Sequence, residues 1–444
     1  LSHEKLVATN RAIIHRLRMK TKKFLSLVLS AAMILGVAVP VAAEPVSAGQ
    51  GVEAEQQPIV ENSITSGYIL SDLDYNTPVY EPDEAVPYSD DWGYSADETI
   101  ENKYPANGVS DIKAKYPSVR NQNPLGTCWT FSSIGLAEFD LINDGAFDKN
   151  IDLSELHLAY YAYNSLLDPL GGTVGDYAKY YMNNTSVQYG YLNRGGNYLM
   201  AARRMGQWCG LVSESDVPYS KVASNGYTAS TIDAFLNTGL SDECAYSKDK
   251  AHLENTYMIN IKENASDVKK AIKKYGAVGI MYSHNDNGYH YINNSYNDKT
   301  NNRAGHAVMV VGWDDNYSKD NFRDGVKPEK DGAWLIRNSW GDGTGSYYNQ
   351  SYFWMSYETF SLSDTAWVFD FSANDGYDNN YQVDGGLNVA HQSGYRKLAN
   401  VFTTQTKQGV SSEDLKAVSL SITSKTNVNY TIEIYTDLKD KTKP

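Results

Sequence analysis

Apolar positions change their spacing along this chain. Over residues 128–142 they recur every three or four positions, with Ile134, Ala137 and Leu141 on one face, which predicts a helix. Residues 153–164 and 197–207 carry the same helical spacing. Further on, apolar residues bunch into short runs at 277–282, 307–311 and 333–337, bounded by turn residues, and these predict strands. Helices first and strands later predict an α+β fold of two lobes. Beyond about Phe360 the pattern is all-β. Val418, Leu420 and Ile422, then Tyr430, Ile432 and Ile434, alternate with polar residues as half-buried strands do. This tail stops in a polar run, 437–444, directly after a strand, and reads as an incomplete β-sandwich.

The N-terminal hundred residues follow another logic. Met19 is followed by Lys20, Lys22 and Lys23, then by an apolar run at 24–39, then by Val41-Ala42-Ala43. A basic stretch, an apolar stretch and a small-residue ending predict a secretory signal removed after residue 43. Residues 1–18 then read as an over-extended gene start. A retained anchor is the competing reading, but the run is shorter than the ~20 residues of a spanning helix. From 44 to 102 there are 14 Asp or Glu and no Lys or Arg, with prolines at 45, 58, 78, 82 and 87. Such composition predicts a poorly ordered acidic leader or linker. Its place ahead of the patterned region also suits a pro-segment lying across a site until it is cut. The expected divisions are a signal region at 1–43, the leader at 44–104, a domain at 105–358 and a β domain at 359–444.

Charge narrows the partners. The 444 residues carry 39 basic and 53 acidic side chains, for a net charge of −14. Nucleic-acid binding needs a basic footprint and is not expected. No second apolar run of spanning length follows the signal, so no stable membrane insertion is expected after its removal. With 41% hydrophobic residues and 3 Cys, the chain is neither disordered nor a disulfide-stapled miniprotein.

Candidate chemistry centres on Cys128. A turn rich in Asn, Pro and Gly (Asn121, Asn123, Pro124, Gly126) ends at this cysteine, and the helical pattern begins there. A thiol in a first helical turn faces unpaired N–H groups and the positive end of the helix dipole, both of which favour thiolate. A buried cysteine acting as a small hydrophobe is the ordinary alternative. A thiolate nucleophile needs a base and the base an orienting group. His306 stands at the mouth of an apolar strand, and Asn338 at the end of another. An Asn carbonyl can accept from one ring nitrogen and leave the other for the sulfur. Gln122, six residues before Cys128, could aim its amide at a developing oxyanion.

In this order the residues resemble the papain family of cysteine peptidases, whose chemistry is Cys-His-Asn. Gln122, Cys128-Trp129, His306 and Asn338-Ser339-Trp340-Gly341 match the family motifs. Leu153-Ser154-Glu155, Asn193-Arg194-Gly195-Gly196 and Val217-Pro218-Tyr219 resemble three further family segments, and the likeness covers roughly 105–358. It implies a two-lobed papain-like fold, a secreted thiol endopeptidase acting on peptides or proteins, and no cofactor or metal. It also implies that Gly195, Gly196 and Trp340 line the substrate. Leu125 stands where the family has a disulfide Cys and Arg194 near its partner, so that bridge is expected to be absent. His306 and Asn338 lie 178 and 210 residues after Cys128, against about 130–150 in the family signature. The excess falls in polar insertions near 177–192 and 314–330. The β tail, through Asn400-Val401-Phe402 and its strand pairs, resembles the lectin-like domain of some secreted bacterial relatives, which implies a carbohydrate or cell-surface ligand.

Other residues carry weaker signals. Cys209 and Cys244 could pair in an exported protein or stay free. His284 and His290 could face a metal but read as a solvated loop. His157 reads as a packing histidine, and Asp314, Asp315, Asp320 and Asp324 as a surface loop near the cleft. Two rivals share the same residues: a catalytically silent binding or adhesion protein, and a thiol acyl-transferase in which an amine replaces water.

Overall fold

The helix that begins at Cys128 is buried on every side, and the fold is organised around it. The computed structural model describes residues 13–18, 109–164, 170, 189–223, 229–246, 248–300, 305–342, 350–382, 400–404, 412–422 and 431–435. The signal region 19–43, the acidic leader 44–104 and most of the 177–192 insertion lie outside the described residues. The helices are α1 (Val109–Lys115), α2 (Cys128–Asn143), α3 (Glu155–Tyr163), α4 (Tyr198–Gly206), α5 (Ser220–Ala223), α6 (Ala229–Thr238) and α7 (Ala265–Tyr275). The strands are β1 (Ile13–Arg18), β2 (His252–Asn260), β3 (Val278–Tyr282), β4 (Tyr289–His290), β5 (Ser295–Tyr296), β6 (His306–Asp314), β7 (Ala333–Arg337), β8 (Tyr352–Ser356), β9 (Thr365–Ser372) and β10 (Ala417–Ile422). They form one sheet in the order β10-β1-β2-β9-β3-β6-β7-β8-β5-β4. Neighbours run antiparallel except β5 and β8, which are parallel.

The three predicted helices are α2, α3 and α4, and the three predicted strands are β3, β6 and β7, each within a residue or two at most boundaries. The central strands read as unbroken apolar runs because both faces of the sheet are covered. Met281, Ala307, Met309, Ala333, Leu335, Trp354, Trp367 and Phe369 pack on the helical side. Their alternates Ile280, Val308, Val310, Trp334, Ile336, Phe353 and Val368 form a second core on the opposite face, closed by Val268, Ala271, Ile272 and Tyr275 of α7. One irregularity interrupts this parity: β6 bulges between Val310 and Gly312 against β7. Val311 stays on the helical side, and Trp313 beyond the bulge joins the opposite core.

The predicted one-sided face of α2 is an understatement, since every residue from Cys128 to Ile142 is buried. Three of its polar side chains are paired with other elements. Ser132 Oγ lies 2.6 Å from the Tyr198 hydroxyl, and Asp140 Oδ2 accepts from Phe371 N of β9 at 2.6 Å. Glu138 pairs with the Arg120 guanidinium and accepts from Leu153 N at 2.9 Å. Arg120 also reaches Glu155 on α3 and, through Nε at 3.0 Å, Asp152. Its guanidinium therefore ties the turn before Cys128 to two helices. Burial alone would lower the Arg120 pKa, but Glu138, Glu155 and Asp152 overcome that and raise it.

Three observations differ from the sequence expectations. The sheet runs past the 358/359 boundary, because β9 lies between β2 and β3 at its centre. In the tail, β10 joins this same sheet through β1, which itself falls in the supposed over-extended start, and no separate sandwich is present among the described residues. Residues 431–435, where alternation predicts another strand, form no regular strand, and Tyr430 lies outside the described residues. The sequence reading also passed over α7 and β2. The helix carries a clear i, i+3, i+4, i+7 spacing in Val268, Ala271, Ile272 and Tyr275. The strand does not alternate, because Leu253 and Glu254 are both buried beside a register shift. Cys209 and Cys244 are both free thiols, packed in one small cluster with Tyr161 and Ala245. Among the described residues no helix is long and apolar enough to cross a membrane.

Close approach of α4 to the sheet depends on Gly279 of β3. A Cβ there would meet the Tyr198 ring at 2.6 Å. Tyr198 cannot yield, because its hydroxyl is held by Ser132 and lies 3.1 and 3.0 Å from the carbonyls of Ile280 and Val308. Gly279→Ala should destabilise the fold by about 1–3 kcal/mol, read as a lower urea midpoint. A second expectation concerns pH. Burial pushes the carboxyl pKa of Glu155 up to about 7 and those of Glu214 and Asp249 up to about 8. The folded chain holds these protons where the unfolded chain releases them, so the stability these three groups contribute is full near pH 4 and declines as pH rises towards 8. The melting temperature should be higher at pH 5 than at pH 8, and Glu214→Gln should flatten the slope; a rise in melting temperature towards pH 8 would contradict this.

Candidate active site

Cys128 is the first residue of α2, after a turn fixed at several points. Gln122 N donates to Ser339 O at 2.9 Å, and Gly126 N donates to Asn193 Oδ1 at 2.9 Å. The Asn123–Pro124 peptide is cis. Thr127 occupies the cap position without capping by its side chain, because its hydroxyl is 2.7 Å from the Tyr219 hydroxyl. Tyr219 in turn donates to Gln122 O at 2.6 Å. The Val217-Pro218-Tyr219 segment seen in the sequence thus braces both ends of the turn that delivers Cys128.

His306 opens β6 and sits across from α2. The backbone N–H of Ala307 points at the Cys128 sulfur, 3.4 Å away. On the far side of the ring, His306 Nε2 meets Asn338 Oδ1 at 2.7 Å. That same oxygen accepts from Ser339 N at 2.8 Å, so it can only be the amide oxygen. Nε2 must therefore be the donor, which makes Nδ1 the nitrogen available for exchange with a sulfur. Asn338 is itself anchored by donation from its N–H to Ser351 O at 2.9 Å. Cys128, His306 and Asn338 are all buried.

Gln122 is buried beside them. Ser339 Oγ donates to Gln122 Oε1 at 2.6 Å, and Gln122 Nε2 donates to Leu125 O at 3.1 Å. Both contacts fix which end of the amide is the nitrogen. Trp340 stacks on His306, with ring centroids 5.0 Å apart and planes 24° apart. Gly196 lies against Trp129, the residue after Cys128, where a Cβ would meet the indole at 2.3 Å. Gly195 has φ +86°, and its carbonyl accepts from Tyr163 at 2.5 Å. The structure thus brings Cys128, His306, Asn338 and Gln122 together, with Trp340 and the two glycines flanking them.

Sequence reasoning missed several neighbours of the site. Ser339 enters through its hydroxyl, which orients Gln122, and through its N–H and carbonyl, which meet Asn338 and Gln122. Tyr282 of β3 is the register partner of His306 across the sheet. His284, expected in a solvated loop, is instead tucked against Trp340, with ring centroids 4.9 Å apart. Burial lowers its pKa, opposed by Asp286. Its signal was present, two residues beyond the end of an apolar strand, but nothing in the pattern points to Trp340. His157 is a buried packing residue as expected, with Nε2 2.8 Å from Cys244 O and a pKa pushed down to about 4 by burial. The acidic insertion pairs its carboxylates: Asp315 with Lys269, and Asp320 and Asp324 with Lys327. Among the described residues no group of three or more His, Cys, Asp or Glu side chains could hold a metal ion.

Comparisons with known proteins add an independent measure. The chain is 26% identical over 262 residues to a cysteine protease of Blomia tropicalis, spanning 57% of this chain and 63% of that one. It is 26% identical over 253 residues to cathepsin B-like cysteine proteinase 3 of Caenorhabditis elegans, covering 53% and 58%. The chain thus spans about 60% of the length of these curated relatives. Among solved structures, the cysteine protease and lectin-like domains of Cwp84, a surface layer associated protein of Clostridium difficile, align at 28% identity with a TM-score of 0.45, covering 62% of this chain and 54% of that one. The sequence profile described as papain family cysteine protease matches residues 109–369, which run from α1 into β9. A match over more than half of its residues makes this chain a member of the papain family of cysteine proteases.

Proposed function

We propose that the chain is a thiol endopeptidase in which Cys128 is the nucleophile, His306 the proton carrier, Asn338 its orienting partner and Gln122 the oxyanion donor. The observation that carries this reading is the bracket around His306. Its Nε2 lies 2.7 Å from Asn338 Oδ1, and the next residue's N–H lies 3.4 Å from the Cys128 sulfur. The thiolate attacks the carbonyl carbon of a peptide bond, and the resulting oxyanion is held by the Gln122 amide and the Cys128 N–H. His306 Nδ1 gives its proton to the leaving amine. It then takes one from water, whose oxygen displaces Cys128 from the thioester and releases the acid. Gly195 and Gly196 offer backbone to the substrate strand, and Trp340 walls the far side.

The proposed setting is outside the cell. The signal-like segment ending at residue 43 supports it. The reading of 44–104 as a pro-segment is supported by its acidic composition and its place ahead of the domain. Sugar binding by the β tail is proposed on sequence resemblance, and binding of the full chain to an immobilised glycan panel, compared with the chain ended at residue 372, tests it.

The first test is mass-mapped alkylation of the chain from residue 44 at mildly acidic pH, before and after limited proteolysis of the leader. An ordinary thiol with pKa ~8.5 is nearly all protonated there, whereas an imidazolium-paired one can have pKa ~3–4. Fast labelling confined to Cys128, lost in His306→Ala, is the expected result, at least after proteolysis; slow labelling in both forms would sink the assignment. Gln122→Ala should lower turnover by ~10²–10³ in a domain that still folds. Full activity in that variant would remove Gln122 from the mechanism. Mass analysis of products formed with an added amine separates hydrolysis from acyl transfer.

A further inference from the structure

The ring of His306 has to serve two partners at once, and a single bond to Asn338 does not fix its plane. Two rings do. Trp340 stacks on it at 5.0 Å, and Tyr282, its register partner across β3 and β6, meets it edge-on at 5.9 Å and 60°. Tyr282 is buried and packed against Tyr296 and Phe353. Trp340 is half-buried in the segment that follows β7, beside Gly341 with φ +78°. What joins them is His284. Its ring meets Trp340 edge-on, with centroids 4.9 Å apart and planes at 88°, and its Nδ1 is 2.9 Å from the Tyr282 hydroxyl. Four side chains therefore close a circuit: His306, Trp340, His284, Tyr282 and back to His306.

The hydrogen-bond roles in this circuit follow from the partners. His284 Nε2 lies 3.3 Å from Asp286 Oδ1. An ionised carboxylate only accepts, so Nε2 carries the proton and Nδ1 is left to accept from the Tyr282 hydroxyl. The opposite face of His284 is covered by Tyr296, with ring centroids 5.9 Å apart and planes at 21°. Tyr296 is held by Ser283 O at 2.6 Å and Asp298 Oδ2 at 2.9 Å. The His284 side chain is 13% exposed, whereas that of Asp286 is 72% exposed.

We propose that His284 is a positioning residue for the peptidase reaction: braced by Tyr282 and Asp286, it wedges Trp340 in place, and Trp340 and Tyr282 together set the plane of His306. This rests on the reading of His306 as the proton carrier. The chemistry makes the role sensitive to acid. The charged or titratable groups around the ring are Asp286 on its own loop, Tyr282 on β3, and Tyr296 on β5 with Asp298 behind it. Burial lowers the pKa of His284 and Asp286 opposes this. When His284 gains a proton, Nδ1 changes from acceptor to donor and the Tyr282 hydroxyl has to turn.

The test uses the full chain, activated by limited proteolysis where required, with kcat counted per Cys128 thiol titrated by iodoacetamide at mildly acidic pH, where the thiol of an unfolded molecule, with pKa ~8.5, hardly reacts. His284→Ala should lower kcat about tenfold with little change in KM. His284→Phe, which keeps a ring edge against Trp340, should recover most of that loss. The acidic limb of the Cys128 alkylation profile should move in both variants, a response that loss of stability alone would not produce. Wild-type kcat and alkylation profile in His284→Ala overturn the proposal, as does a loss in His284→Phe equal to that in His284→Ala. If His284→Ala fails to fold, Tyr282→Phe decides: removing one hydroxyl should lower kcat per titrated thiol in the same direction, and an unchanged kcat refutes the role. A parent chain with neither activity nor a reactive Cys128 sinks the peptidase reading itself. An active parent with indifferent variants sinks the positioning role alone.

Discussion

Enclosing α2 on every side is the constraint on which the rest of this structure depends. A helix that meets water on one face can carry polar residues there without cost. This one cannot, and three of its polar side chains take partners from other elements: Tyr198 of α4 for Ser132, Phe371 of β9 for Asp140, Arg120 for Glu138. Those partners are the walls of the domain. Their requirement for a fixed α2 is also what holds the N-terminus of the helix, and with it Cys128, in one place opposite β6.

Precision at the site follows from how few groups act alone. Asn338 Oδ1 accepts twice, from the main chain and from His306, so the amide cannot flip without losing both bonds. Ser339, the next residue, turns its hydroxyl to Gln122 and its carbonyl to Gln122 N. Two consecutive residues at the end of β7 thereby orient both the imidazole and the amide that flank the thiol. Such sharing makes the site rigid at the level of the backbone, which suits chemistry requiring tenths of an ångström.

Much of this was legible in the sequence, and the reasons are local. Cys128 announces itself by the turn-to-helix change, and Gln122, His306 and Asn338 by spacing and by their places at strand ends. The strands β3, β6 and β7 could be read because both their faces are apolar. What could not be read was contact between distant segments. Arg120 looks like any surface cation until Glu138 and Glu155 are brought to it from 18 and 35 residues away. His284 looks solvated until Trp340 arrives. The place of β9 was hidden for a related reason: it has the composition of a strand in any β domain, and only its pairing with β2 and β3 assigns it to this sheet. The acidic leader and the signal region lie outside the described residues.

The bulge in β6 divides the pairing of that strand in two. Up to Val310 it lies between β3 and the end of β7, with His306 opposite Tyr282; beyond Gly312 it pairs with β7, with Trp313 opposite Trp334. The long 314–330 insertion grows from the end of β6 beyond the bulge, and His306 stands at the opposite end of the strand. The loop and the imidazole are thereby kept a strand's length apart, on either side of the irregularity in the pairing of β6 with β7.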